Sequence, residues 1–285
     1  MTIAPEGVTT IPASRRFIIL ATCSAATMLY AMAITIANVV LPQMRGALSA
    51  TPDQIAWVIT FNLVATAVMT PVSGWLSNRF GRRNVLLVAC FGFTVASVLC
   101  GLADSLEALV LFRVLQGAFG APLVPVSQTI ILDTFPREQH SMATALWGVG
   151  VVLGPIIGPT FGGAIAEEYS WRWVFFMIVP FGILTLGAIS MFITKRPVRP
   201  PSPPLDWLGF FALAAALASF QFMFDRGQRN SWFDSPETIV ECTIGFLALY
   251  IFIVHISSSP RPFINPRLFL NRNYCLGLAL AFMFG

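Results

Sequence analysis

Eight long apolar runs separated by short polar breaks organise the chain: residues 17–41, 55–76, 85–103, 108–132, 143–166, 173–193, 208–224 and 239–256. Each approaches the roughly 20 residues that a helix needs to cross a hydrocarbon core of ~30 Å. None alternates apolar and polar positions as a membrane barrel strand does. The pattern therefore predicts an all-α polytopic membrane protein, in which each helix satisfies its own backbone polar groups. A ninth run begins at Tyr274 and stops at Gly285, short of a span, so the expectation is a fragment of a longer protein or a truncated gene product. One break stands apart. Residues 194–207, TKRPVRPPSPPLDW, are rich in proline and charge and read as an extended linker between six helices and two. The expected organisation is an N-terminal segment 1–16, a six-helix unit 17–193, the linker 194–207, two further helices within 208–256, and a loop with the start of another helix at 257–285.

Composition agrees with that pattern. The chain is 56% hydrophobic and only 11% charged, against about 25% charged in soluble domains. Its basic character comes from arginines in the short breaks, which argues against nucleic acid as a partner and for the lipid bilayer. With the N-terminus inside, 12 of the 17 Lys and Arg residues fall on the cytoplasmic side: Arg15, Arg16, Arg79, Arg82, Arg83, Arg137, Lys195, Arg196, Arg199, Arg261, Arg267 and Arg272. Arg45, Arg172, Arg226 and Arg229 fall outside, and Arg113 lies within a span. The bias predicts a multi-pass inner-membrane protein with a cytoplasmic N-terminus and linker. Ser14-Arg15-Arg16-Phe17 resembles a twin-arginine export signal, but the apolar run behind it is too long for a cleaved signal core and reads as the first membrane helix.

Chemistry-bearing residues are few. Cys23, Cys90, Cys100, Cys242 and Cys275 are odd in number and lack CxxC spacing, and His140 and His255 fall at helix ends. Neither a disulfide framework nor a metal site follows, and the absence of a nucleophile, base or phosphate-binding motif excludes an enzyme reading. Four places do carry a pattern. The second break reads GWLSNRFGRR, where Gly74 and Gly81 permit close packing and a tight turn. Arg79, Arg82 and Arg83 there can hold lipid headgroups or helix-end carbonyls, or simply mark the inner side. In the fourth run, LFRVLQG places Arg113 inside the membrane. A charge there costs about 3 kcal/mol or more and should face a cavity with a partner, unless it snorkels to the interface. In the fifth run, Gly150, Gly154, Gly158 and Gly162 recur every four residues on one helix face and admit a neighbouring backbone. Pro155 and Pro159 remove donors and bend that helix, and Gly163 ends the segment GPTFGG. Finally, Asn62, Gln116 and Gln128 are polar positions in apolar runs, suited equally to lining a site and to hydrogen bonding between helices.

These motifs resemble those of the major facilitator superfamily. The second break is similar to its G-x-L-a-D-r-x-G-r-r signature, and Arg113 to Gly117 to its R-x-x-q-G motif. The fifth run resembles the antiporter motif of drug:proton exchangers. Thr35 to Pro42, TIANVVLP, and Asp225 to Gln228, DRGQ, look like the fourteen-helix drug:proton antiporters, among them the Emr-type permeases of tripartite efflux systems. The resemblance implies a major facilitator fold: an N-terminal six-helix bundle, two insert helices and the start of a ninth helix that opens the second bundle. It implies efflux of amphiphilic drugs or toxic organic compounds by proton antiport through alternating access, at a site near the midplane. Asn38, Asn62, Gln116, Gln128 and Trp147 are the expected lining, with Arg113 as a coupling element. No cofactor is implied beyond the proton gradient as energy source. The implied partners are small amphiphilic substrates, a periplasmic adaptor and an outer-membrane channel.

Two positions depart from the family pattern. Asn78 stands where the superfamily usually has Asp, and Ala33 stands where the family has a helix-1 aspartate. Helices 1 to 6 then hold no acid in mid-membrane, and Glu241 near an outer end is the only one in the later spans. Ala33 and Arg113 are expected at similar depth, facing each other across the bundle. The alternative reading is a transport-incompetent remnant, or a half-transporter that needs a second chain.

Overall fold

A computed structural model describes residues 12–194, 204–260, 262 and 264–284. Residues 1–11, the linker's Lys195, Arg196 and Arg199, and Arg261 lie outside the described residues. The chain divides into two compact units, Met1–Pro201 and Ser202–Gly285. Every regular element among the described residues is helical.

The first unit contains α1 (Ala13–Val39), α2 (Leu41–Ala47), α3 (Pro52–Phe80), α4 (Arg82–Gly101), α5 (Leu106–Gly120), α6 (Leu123–Thr134), α7 (His140–Glu168), α8 (Trp171–Phe176) and α9 (Ile178–Phe192). These make six membrane-length spans, because α5 with α6 and α8 with α9 each form one interrupted span. Each remains the single span expected from its apolar run, with an internal interruption that hydropathy does not mark. Pro122 and Pro125 have no N–H to give the carbonyls of Ala118 and Ala121, and Pro180 likewise leaves Phe176 without its donor. The first span also ends earlier than expected, at Val39. The short α2 follows, with Pro42 in its first turn, where a missing donor costs nothing.

Turn chemistry sets the other boundaries. Thr51 and Gln54 form a capping box at the head of α3, with bonds of 3.0 and 3.3 Å. Ser105 caps α5 through the Ala108 amide. Gly81 joins α3 to α4 at φ 84°, a left-handed conformation that suits glycine and lets consecutive spans reverse with no intervening loop.

Two apolar clusters stack along this bundle. One gathers Leu29, Ala33, Leu86, Phe93, Leu123 and Ile189, and the other gathers Ile36, Val58, Cys100, Leu109, Val174 and Phe175. Hydroxyls within the spans mostly turn back onto carbonyls four residues earlier, as Thr22, Thr27, Thr94 and Ser97 do. That local bonding satisfies each hydroxyl's donor within its own helix, whether it faces lipid or core.

The second unit holds α10 (Trp207–Arg226), α11 (Pro236–Ser258) and α12 (Arg272–Phe284). The first two are membrane-length and pack on each other. Gly245 gives Phe220 room, and the Phe220 and Phe246 rings meet edge to face at 5.2 Å. At one end of the pair, Asp206 caps α10 through the Gly209 amide and also holds His255 of α11 at 2.8 Å.

Candidate functional site

Two helix seams bring the sequence-predicted residues together, by opposite means. The first joins α1 to α7. Gly150, Gly154, Gly158 and Gly162 lie along it in the expected four-residue ladder. A Cβ on Gly154 would stand 2.8 Å from the Ala31 Cβ and 2.9 Å from the Met28 carbonyl oxygen. On Gly158 it would meet the Thr35 hydroxyl at 2.9 Å and the Met32 carbonyl oxygen at 3.0 Å, and on Gly150 the Ser24 Cβ at 2.9 Å. On Gly162 it would run into the Ile36 side chain. Real Cβ atoms do not approach so closely, so this face of α7 admits only glycine without displacement. Gly163 is different: its nearest neighbour would be Val39 at an ordinary 3.6 Å. Pro155 and Pro159 fall off the ladder, Pro155 on the exposed side, and α7 continues through both as one 29-residue helix.

The second seam joins α3 to α5 and is polar. Arg113 is 1% exposed, so it does not snorkel. Its Nε donates to the Val58 carbonyl at 3.1 Å, an Nη1 hydrogen goes to the Gln116 side-chain oxygen, and the guanidinium lies over the Phe175 ring at 5.9 Å. Gln116 in turn donates to Ser97 of α4 at 2.8 Å. Asn62 donates to the Arg113 carbonyl at 2.7 Å, and Thr66 to the Gly117 carbonyl at 3.2 Å. A Cβ on Gly117 would collide with the Asn62 carbonyl oxygen, so this seam too rests on a glycine. The buried cation is thus met by a carbonyl, an amide oxygen and a ring, with no carboxylate among its partners in the described residues.

Asn62, Arg113 and Gln116 therefore form one network, and the remaining expected lining residues stand apart from it. Trp147 is buried on α7, and its Nε1 donates to Thr27 of α1 at 3.1 Å. Gln128 is half-buried on α6, and Asn38 is exposed at the end of α1. Ala33 sits in the first apolar cluster beside Leu29, Met32 and Phe93. The arginine's own hydrogen bonds go to Val58 of α3 and to Gln116 of its own helix.

At the opposite end of α3, Arg79 stacks over Trp75 at 5.5 Å and Phe80 at 5.9 Å. Arg82 forms an ion pair with Asp133 at the end of α6, and Arg83 donates to the Ser190 carbonyl near the end of α9 at 2.7 Å. Gly81 makes the tight turn that its motif implied. Gly74 does not pack closely on anything described, since a Cβ there would find nothing within 4 Å. Sequence reading missed Asp133, Ser97 and Thr27. The first was legible as an acid ending the fourth run; the hydroxyls carry no distinguishing sequence signal.

Six spans knit by a glycine ladder and a buried polar network, followed by a helix pair, define a polytopic transporter fold. The Major Facilitator Superfamily model matches residues 23–285, and the chain belongs to that superfamily. Multidrug export protein EmrB of Haemophilus influenzae is 38% identical over 263 residues, which are 91% of this chain and 52% of that protein. EmrB of Escherichia coli strain K12 is 36% identical over 91% of this chain and 51% of its own length. Fatty acid resistance protein FarB of Neisseria gonorrhoeae is 37% identical over 85% and 48%. The chain thus spans about half the length of these curated relatives. Among solved structures, a peptide transporter POT in complex with sulfate aligns at TM-score 0.64 and 16% identity, covering 90% of this chain and 55% of that one. A bacterial homolog of the human lysosomal transporter Spinster, inward-facing and unoccupied, aligns at 0.59 and 20%, covering 85% and 61%. At those identities the likeness is one of fold.

Proposed function

We propose that this chain supplies the N-terminal bundle and the two insert helices of an efflux permease for amphiphilic drugs or toxic organic compounds, driven by proton antiport through alternating access. In this reading residues 17–193 form the first bundle, 194–207 a cytoplasmic linker, 208–256 the extra helix pair, and 257–285 the approach to a second bundle. The observation that carries it is the α1–α7 glycine ladder, which turns the antiporter-like motif of the sequence into a backbone-to-backbone contact. Relatives named for multidrug export support the same reading. Asn38, Gln128 and Trp147 are the proposed lining. Asn62, Arg113 and Gln116 hold α3, α4 and α5 in register behind it, and Arg79, Arg82 and Arg83 fasten the inner end. With Ala33 in an apolar cluster, the coupling carboxylate is sought beyond Gly285. A periplasmic adaptor and an outer-membrane channel are the proposed partners.

The test is accumulation of an amphiphilic cationic dye in cells expressing the gene, with and without a protonophore. The expected outcome is lowered accumulation that the protonophore abolishes. Accumulation equal to that of cells without the gene overturns the function. Orientation is checked separately with an impermeant thiol reagent applied to whole cells, in a background without native cysteines. Gln228→Cys is expected to label and Ser202→Cys to remain unlabelled, and the reverse pattern inverts the topology.

A further inference from the structure

Between α1, α7 and α9 runs a cavity of about 710 Å³ that the transport reading does not use. On α1 it follows the stripe Ile18, Ala25, Met32, and on α9 the stripe Phe181 to Phe192, with Phe161 of α7 on its far side. The helical rise from Ile18 to Met32 makes it roughly 21 Å long, somewhat more than one leaflet's share, about 15 Å, of the hydrocarbon core. Its lining is apolar in effect as well as in composition. The two hydroxyls on it are already bonded within their own helices, Thr22 to the Ile18 carbonyl and Thr185 to the Phe181 carbonyl, both at 2.8 Å. Both hydroxyl donors are thus spent, and little is left to compensate the burial of a polar occupant.

The mouth has the opposite character. Arg15 lies three residues before Ile18 and so continues the same face of α1 one turn beyond the groove, where it is exposed. The first turn of α1 is basic in sequence, with Arg16 following Arg15. A slot as long as an acyl chain, opening beside cations at the depth of the headgroups, has the chemistry of an anionic lipid site. We propose that the groove holds an acyl chain of one anionic phospholipid, with the headgroup phosphate at Arg15. The lipid would come from the leaflet on the N-terminal side of α1, the cytoplasmic leaflet in the orientation given above. It would be a retained lipid, held by shape along its tail and by charge at its head, distinct from the exchanging lipids around the other helices.

The experiment uses the full chain purified in mild detergent and offered equal amounts of phosphatidylglycerol and phosphatidylcholine with identical acyl chains. Native mass spectrometry should find one phosphatidylglycerol retained per chain, preferred several-fold. Arg15→Gln should bring the two headgroups to near parity. Ala25→Trp fills the groove from α1 and Ala188→Phe fills it from α9. Each should abolish retention, and the pair guards against one variant failing to fold. Retention unchanged in both filled variants overturns the proposal. A phospholipid with a photoactivatable group midway along its tail should label α1 and α9 peptides, whereas labelling spread evenly over all spans means ordinary surrounding lipid and overturns it. A disulfide between Ala25→Cys and a cysteine placed on α10 or α11 would show that a segment of the protein occupies the groove, and the lipid proposal fails. Loss of dye efflux leaves these readouts untouched, so this site and the transport reading fail separately.

Discussion

The α1–α7 and α3–α5 seams solve the same problem differently. In lipid there is no hydrophobic drive to press helices together, so association rests on close van der Waals fit and hydrogen bonds. The α1–α7 seam rests mainly on fit: α7 offers bare backbone at every fourth residue, and α1 lays its carbonyls and Cβ atoms against it, with the Trp147–Thr27 hydrogen bond added. The α3–α5 seam uses one glycine and a chain of buried polar groups from Asn62 through Arg113 and Gln116 to Ser97. The first tolerates no added volume, and the second tolerates no missing partner.

Added volume at the ladder should have the largest effect. Gly158→Leu is expected to lower efflux at least tenfold while membrane abundance stays within about twofold, since overpacking costs ~1–3 kcal/mol and a rigid seam cannot relax locally. Dye accumulation and immunoblotting of the membrane fraction check this, and normal efflux would reduce the ladder to spacing without consequence. Next, Arg113→Ala should destabilise the detergent-solubilised chain by about 1–3 kcal/mol, because the Val58 carbonyl and the Gln116 amide lose their partner. Arg113→Lys should recover part of that loss in a thermal melt. If Ala is as stable as the parent, the network is ornamental. A smaller effect is expected at the inner end. Arg82 and Asp133 are 26% and 33% exposed, so a double-mutant cycle between Arg82→Ala and Asp133→Ala should return a coupling of only ~0.2–1 kcal/mol. The smallest effects belong to glycines off the seams. Gly74→Ala and Gly163→Ala should change stability by no more than about 0.5 kcal/mol, since nothing close meets the new methyl. A loss at Gly163 as large as at Gly158 would erase the distinction between ladder and bystander.

The same contrast explains what could be read in advance. The spans were legible because a bilayer demands apolar length, and the ladder because a period of four marks a helix face. The polar network was half legible. Asn62, Arg113 and Gln116 stood out as polar residues in apolar runs, but their mutual bonding depends on rotamers and on which way α5 is turned, which spacing does not encode. Ser97 and Thr27 resemble the other hydroxyls that bond only to their own helix. The breaks at Pro122 and Pro180 were visible as prolines, yet hydropathy runs straight through them.

Met28 carries a consequence beyond packing. Its carbonyl oxygen meets Gly154, and its side chain lines the groove beside α9. One residue thereby serves two neighbours through different atoms, and every amino acid brings the same carbonyl. Selection can therefore rewrite the groove at position 28 while leaving the α7 contact intact, whereas Gly154 has no such freedom. Across descendants of this sequence the ladder should stay fixed while groove-lining side chains such as that at position 28 drift, so lipid or ligand preference can diversify without renegotiating the bundle.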